Sequence, residues 1–117
     1  MKSRTNLFGD LDRMDLDAWA EHLAPDAVLR CGNDDPVLGR EACRAAMASL
    51  YGQLRCVQHQ ILDQWEHGPA TIAEANVTIT RSDGRDVEVP SVTIYRTNGG
   101  DLIADYRVYV DLAPVFA

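Results

Sequence analysis

The stretch TIAEANVTITRSDGRDVEVPSVTIYR, residues 71–96, contains two segments of alternating polar and apolar residues around a central turn. In the first segment Ala75, Val77 and Ile79 alternate with polar side chains, which is the period of a strand with one buried face. The sequence Ser82-Asp83-Gly84 between the segments is typical of a tight turn between antiparallel neighbours. We therefore predict a β-hairpin with strands over Thr71–Arg81 and Arg85–Arg96.

The same two-residue period extends to both sides of the hairpin. It predicts further strands over Arg55–Trp65 and Asp101–Leu112, separated by Gly68-Pro69 and by Asn98-Gly99-Gly100. Ahead of Arg55 the apolar residues recur at helical spacing, except in one short predicted strand. The predicted elements there are a helix containing Leu7–Leu11, a helix containing Leu16–Leu23 that Asp15 caps and Pro25 ends, a strand over Ala27–Cys31, and a helix over Arg40–Tyr51.

This order of elements predicts an α+β fold. Helices that precede an antiparallel sheet pack together on one of its faces, because each element must bury its apolar side. We expect a single domain over residues 1–117, with the helices on a strongly curved antiparallel or mixed sheet.

The alternation along the last two predicted strands indicates which side chains face the helices and which face outward. On the last strand Tyr106 and Val108 should face the helices, with Leu102, Ala104, Val110 and Leu112, while Ile103, Asp105, Arg107, Tyr109 and Asp111 should face outward. That charged outer row is typical of a solvated face or an interface between sheets. In the strand over 85–96 the apolar parity changes at Pro90, which predicts either a bulge at Pro90-Ser91 or hydroxyls of Ser91 and Thr93 that point inward.

The histidines differ in their surroundings. His59 shares a face with Val57, Ile61 and Trp65, without an obvious charged partner, so it is either a hydrogen-bonded core residue or a general base whose pKa burial depresses. His22 and His67 should be exposed. Trp19 and Tyr51 are expected core aromatics whose polar tips could reach a cavity.

Composition excludes several functions. The 117 residues are 46% hydrophobic and carry a formal net charge of -7, which disfavours nucleic acid and anionic membranes as partners. Cys31, Cys43 and Cys56 lack the spacing of a disulfide framework or a zinc site, and no cofactor motif occurs. We expect free thiols, no metal, no cofactor and a cytoplasmic location.

The whole pattern resembles the SnoaL-like branch of the nuclear transport factor 2-like superfamily. The segments that carry the resemblance are MDLDAWAEHLAPDAVLR (14–30), VLGREACRA (37–45), the His59 strand, SDGRDVEVP (82–90) and DYRVYVDL (105–112). The resemblance implies a cone-shaped apolar pocket open at one end and dimers that pack through the sheet.

The resemblance also implies where catalytic groups would lie. Cyclases and an epoxide hydrolase of the superfamily place an aspartate after an arginine on the last strand, where this chain has Val108 after Arg107. The isomerase of the superfamily places its base at the end of the first strand, where this chain has Cys31, and its donor tyrosine near Leu7. The known catalytic carboxylates are thus absent at the matching positions.

Three hypotheses about function follow. The first is binding of a hydrophobic, partly oxygenated small molecule; the second is cofactor-independent isomerisation, cyclisation or dehydration of a polyketide-, steroid- or terpenoid-like carbonyl compound; the third is a protein-interaction module. For catalysis we expect His59, with Tyr109 or Asp111 as accessory groups. For ligand binding we expect Trp19, Cys31, Asn33, Tyr51, Ser91, Thr93 and Val108. The partners expected are a hydrophobic small molecule and a second copy of the chain.

Overall fold

The computed structural model describes residues 7–117, so residues 1–6 of the predicted domain lie outside the described residues. Its architecture is α+β, as predicted, with short helices and one six-stranded open sheet of order β2-β1-β6-β5-β4-β3. The helices are α1 (Leu7–Asp12), α2 (Leu16–Ala20), α3 (Arg40–Tyr51) and α4 (Ala113–Phe116). The strands are β1 (Leu23–Cys31), β2 (Val37–Leu38), β3 (Leu54–His67), β4 (Ala70–Arg81), β5 (Asp86–Thr97) and β6 (Ile103–Val110).

The sheet is mixed because β1 runs parallel to β6, while β3, β4, β5 and β6 form an antiparallel meander. The inner face of the sheet, which the helices cover, carries Val77 of β4 in register with His59 of β3 and Val89 of β5. The outer face carries the opposite parity, including Trp65, Ile72 and Ile94 in one row across three strands.

Helices α1, α2 and α3 pack on the inner face and close the core. Helices as short as the six-residue α1 and the five-residue α2 are marginal alone, so tertiary packing must stabilise them. The Asp15 carboxylate caps α2 by accepting a hydrogen bond from the Ala18 N–H at 3.1 Å. The buried residues of the helices are Leu7, Phe8, Leu11, Trp19, Ala20, Cys43, Met47 and Tyr51.

The prediction that Pro25 ends the second helix was wrong. Helix α2 already ends at Ala20, and Pro25 lies inside β1. The pairing of β1 with β6 shifts register between Leu23 and Val28, which leaves the proline outside the ladder. The two-residue strand β2, which pairs with Val28 and Leu29, was not predicted.

The alternative without a bulge at Pro90-Ser91 is the correct one. The pairing of β4 with β5 is continuous, and Ser91 and Thr93 are buried on the inner face. Proline is tolerated at position 90 because β6 pairs with β5 only from Ser91 onward, so no partner strand needs the missing N–H on that side.

Other expectations about faces were also wrong. Ile103 is fully buried, because a register shift between β5 and β6 near Arg96 reverses the parity at the start of β6. Ile61 and Trp65 are exposed. A register shift between Ile61 and Asp63 reverses the parity of β3, so Trp65 lies on the outer face and does not share the face of Val57 and His59. No helix within residues 7–117 is long and apolar enough to cross a membrane.

Candidate functional site

A cavity of about 60 Å³ lies between the inner face of the sheet and the helices. Carbon atoms form most of its wall, and its polar groups come from a few side chains on different elements. The lining residues with polar groups are Cys31, Tyr51, His59, Ser91, Thr93 and Tyr106. Apolar residues such as Leu11, Met47, Val77, Val89 and Val108 form the rest of the wall, and Val115 and Phe116 of α4 close it.

His59 is held in the wall by the carboxylate of Asp12, which is the last residue of α1. The Asp12 Oδ1 atom lies 3.0 Å from the backbone nitrogen of His59 and 2.6 Å from its Nδ1 atom. The ring of Phe8 packs against the imidazole with 5.2 Å between ring centroids. The expectation that His59 has no charged partner was therefore wrong.

This contact determines the chemistry available to the imidazole. An ionised carboxylate only accepts hydrogen bonds, so Nδ1 must carry the proton when the ring is neutral. The lone pair then lies on Nε2, the nitrogen that can accept a proton from another group. Because the Asp12 oxygen also accepts from the backbone of His59, the carboxylate is anchored and restricts rotation of the ring.

Two buried phenols also line the cavity. Tyr106 is 1% exposed and Tyr51 is 7% exposed. Burial raises the pKa of both phenols above the ordinary value, and mutual electrostatic repulsion adds to the effect on Tyr51. Both groups are therefore neutral hydrogen-bond donors at physiological pH.

The thiol of Cys31 lines the cavity at the end of β1. Burial, and secondarily the charge of Asp34, raises the pKa of this thiol. A thiol in such a site stays protonated and is a poor nucleophile. Its contribution to the wall is a small polarisable surface.

The hydroxyls of Ser91 and Thr93 enter the cavity from consecutive inward positions of β5. In the adjacent strand β6, Val110 and Val108 stand opposite them in the ladder. The continuous register of β5 thus brings two of the predicted polar residues and the predicted Val108 into the same wall.

Several predicted site residues lie elsewhere. Trp19 is fully buried behind Tyr106, at an edge-to-face angle of 84°, and does not line the cavity. Asn33 and Asp111 border a separate hollow of about 310 Å³, and Asp111 accepts a hydrogen bond from the Ala113 N–H. Tyr109 is 55% exposed on the outer face of the sheet.

Another histidine–carboxylate contact lies away from the cavity. His22 is 2% exposed, which contradicts the predicted exposure, and its Nε2 atom lies 3.0 Å from Oδ2 of the buried Asp10. Arg13 also forms an ion pair with Asp10. This cluster joins α1 to the start of β1 and has a structural role.

Asp12 and Tyr106 are the site residues that sequence reasoning missed. Asp12 follows the apolar positions of α1 and is one turn beyond Phe8, so helical spacing already placed it beside a buried aromatic ring. Its contact with His59 spans 47 positions of the chain, and no local pattern reports such a pairing.

The comparisons with known proteins agree with this architecture. The model of the SnoaL-like domain family matches residues 5–106. No curated protein sequence matches the chain.

Solved structures share the fold at low sequence identity. A protein with a ketosteroid isomerase-like fold from Catenulispora acidiphila, in complex with trimethylamine, is 20% identical at a TM-score of 0.85, over 95% of this chain and 86% of that one. An LEH-like epoxide hydrolase from M. tuberculosis is 16% identical at a TM-score of 0.77, over 94% of this chain and 80% of that one. An NTF2-like protein of unknown function from Burkholderia pseudomallei is 16% identical at a TM-score of 0.85, over 96% of this chain and 93% of that one.

Proposed function

The chain belongs to the SnoaL-like domain family, and on that premise we propose that its cavity binds a small, hydrophobic, partly oxygenated molecule. The observation that carries this proposal is the carbon-lined cavity with a few convergent polar groups, which is the usual composition of a small-molecule site. The similar protein from Catenulispora acidiphila holds trimethylamine, a small molecule with a largely apolar surface.

The size of the cavity limits what enters it. A dry cavity of about 150 Å³ is known to hold benzene, so the 60 Å³ present here accepts only part of a ring-sized ligand. A larger molecule requires displacement of α4, whose four residues include the lining residues Val115 and Phe116. With only four residues, α4 has few interactions that oppose its displacement.

A matched pair of variants tests ligand binding, with cyclopentanone as the probe. Val108→Phe fills the cavity from β6, whereas Val92→Phe adds the same volume on the outer face of β5. In a titration followed by NMR, we expect the unmodified chain and Val92→Phe to bind cyclopentanone, and Val108→Phe to bind at least tenfold more weakly because of steric exclusion. Equal binding by both variants would refute the cavity as the binding site.

The Asp12–His59 contact favours a second function, which is cofactor-independent proton transfer on a carbonyl compound. The Nε2 atom of His59 would take a proton from a carbon next to the carbonyl group, and the electron pair of that C–H bond would move to form an enolate. The imidazolium would then return the proton, either to another carbon or to a leaving hydroxyl group. The Asp12 carboxylate would stabilise the imidazolium that forms between these two steps.

Exchange of the α-hydrogens of cyclopentanone in D₂O measures this proton transfer. We expect the unmodified chain to accelerate exchange, His59→Gln to reduce the enzyme-dependent rate by about 10²-fold or more, and Asp12→Asn to reduce it less. His67→Gln, which changes an exposed histidine near a turn, is the control. A rate that is the same in His59→Gln as in the unmodified chain would rule out His59 as the base.

We further propose that the chain forms a homodimer through the outer face of the sheet. Trp65 and Tyr109 are about half exposed there, and Asp105 forms ion pairs with Arg96 and Arg107 beside them. A surface with aromatic groups and both signs of charge can be complementary to itself across a two-fold axis. A protein-interaction module would use the same surface for a different partner.

We also propose a cytoplasmic location. This proposal is supported by the three cysteines, which are unpaired in the structure and would remain thiols in a reducing compartment.

A further inference from the structure

We propose that Tyr106 determines ligand specificity by donating a hydrogen bond to an acceptor oxygen of the ligand, with the indole of Trp19 supporting the phenol from behind. The proposal deepens the proposed function and rests on it, because it names the chemical class of the ligand. That class is a neutral carbonyl compound, as distinct from a hydrocarbon.

The first evidence is a pair of buried polar atoms that lack partners. Neither Nε1 of Trp19 nor the Tyr106 hydroxyl forms a hydrogen bond of acceptable distance and angle with any of residues 7–117. The two side chains are 0% and 1% exposed, so water outside the fold does not solvate these atoms. Buried polar atoms normally have hydrogen-bond partners, and a ligand atom in the cavity could supply the partner that the Tyr106 hydroxyl lacks.

The second evidence is the arrangement of three aromatic rings. Tyr106 lies between Trp19, at 5.4 Å between ring centroids, and Tyr95, which stacks on it at 6.2 Å. Of these three residues, Tyr106 alone lines the cavity. A ligand in the cavity therefore meets this ring and not the other two.

The donor and acceptor rules then give the direction of the hydrogen bond. The indole N–H can only donate, whereas a phenol both donates and accepts. Burial raises the pKa of the Tyr106 phenol, so its hydroxyl keeps the proton at physiological pH. A protonated hydroxyl without a partner among residues 7–117 can donate to a ligand, and the cavity is the side from which an acceptor can enter.

Tyr106 and His59 line the cavity from different positions along the sheet. In the sheet, His59 is in register with Val89 of β5, whereas Tyr106 is in register with Tyr95 of the same strand. Val89 and Tyr95 are six residues apart along β5, so His59 and Tyr106 reach the cavity from different ends of this stretch of the sheet. A test of Tyr106 can therefore be separated from a test of His59.

Cyclopentanone and methylenecyclopentane form a matched pair of probes. They have nearly the same shape, but a C=CH₂ group replaces the carbonyl in the second compound and accepts no hydrogen bond. In a Trp65→Phe background, which leaves Trp19 as the single tryptophan, we expect the ketone to bind about fivefold to tenfold more tightly than the alkene. The ketone should also shift the Trp19 indole N–H resonance in NMR, and the alkene should shift it less.

Two variants assign this preference to a single hydroxyl. Tyr106→Phe should bind both compounds equally, because it removes the donor and keeps the ring. Tyr95→Phe removes a neighbouring buried phenol that does not line the cavity, and it should keep the preference.

The possible failures are distinguishable. Equal affinity of the unmodified site for the two compounds, or a preference that survives in Tyr106→Phe, would overturn the role of Tyr106 and leave the cavity as a binding site. Binding of neither compound would overturn the role of Tyr106 together with the proposed function.

Discussion

At the scale of single residues, the two buried phenols make the stability of the fold depend on alkaline pH. Burial raises the pKa values of Tyr51 and Tyr106 above the ordinary value of 10.0, so the folded state keeps these protons when the unfolded state loses them. Their contribution is complete below pH 10 and decreases as the pH rises toward the pKa values of the folded state. Each tyrosine should lower the free energy of unfolding by up to ~1.4 kcal/mol per pH unit in that range.

Urea unfolding at pH 9 and pH 11 measures this dependence. We expect Tyr51→Phe and Tyr106→Phe each to lose less stability between the two pH values than the unmodified chain. Tyr109→Phe, which removes an exposed hydroxyl, should behave like the unmodified chain. The same loss of stability in all four proteins would show that other groups cause alkaline unfolding.

Single residues were predictable where the strand period decided their direction. Val57 fixed the parity that brings His59 to the inner face. For Ser91 and Thr93 the sequence left two alternatives open at Pro90, and the continuous register of β5 decides between them. Asp12 was not predictable, because its contact depends on how α1 docks on β3. Trp19 was predicted to be buried, but the period of a helix does not tell whether a ring lines a cavity or lies behind another ring.

At the scale of elements, one carboxylate contact joins the end of α1 to β3. Asp12→Ala removes the acceptor for both the backbone N–H and the Nδ1 proton of His59. We expect a loss of about 1–3 kcal/mol in the free energy of unfolding and faster hydrogen exchange in α1 than in β4 and β5. The exposed Asp26→Ala is the control and should stay within about 0.5 kcal/mol of the unmodified chain.

Hydrogen exchange decides between two descriptions of α1. Protection of α1 that is unchanged in Asp12→Ala would show that Leu7, Phe8 and Leu11 hold the helix without the carboxylate.

The long strands of the meander were predictable because their period persists over many residues between strong turn signals. The start of β1 was not, since Leu23 continues the helical spacing of α2 while its backbone pairs with Ile103 in the sheet. Pairing with a strand 80 positions later in the chain outweighs a local periodicity of this kind. The two-residue β2 is too short to have a period at all.

At the scale of the whole molecule, the outer face of the sheet predicts self-association. Ile94 lies in the middle of this face, in register with Ile72 and Arg107. Ile94→Arg adds a buried charge to the expected interface, so we expect a dimer for the unmodified chain and a monomer for this variant in sedimentation at tens of micromolar. Gln58→Arg, at the exposed β3 edge of the same face, is the control and should remain dimeric. A monomeric unmodified chain would contradict the assembly.

The central claim is that the cone between sheet and helices holds the ligand, and intermolecular NOEs between cyclopentanone and the methyl groups of the chain test it most directly. We predict NOEs to Val77, Val89 and Val108, which line the cavity from three neighbouring strands. NOEs confined to Val92 and Ile94 on the outer face of the sheet, or the absence of any NOE at a saturating concentration of the ketone, would contradict the account.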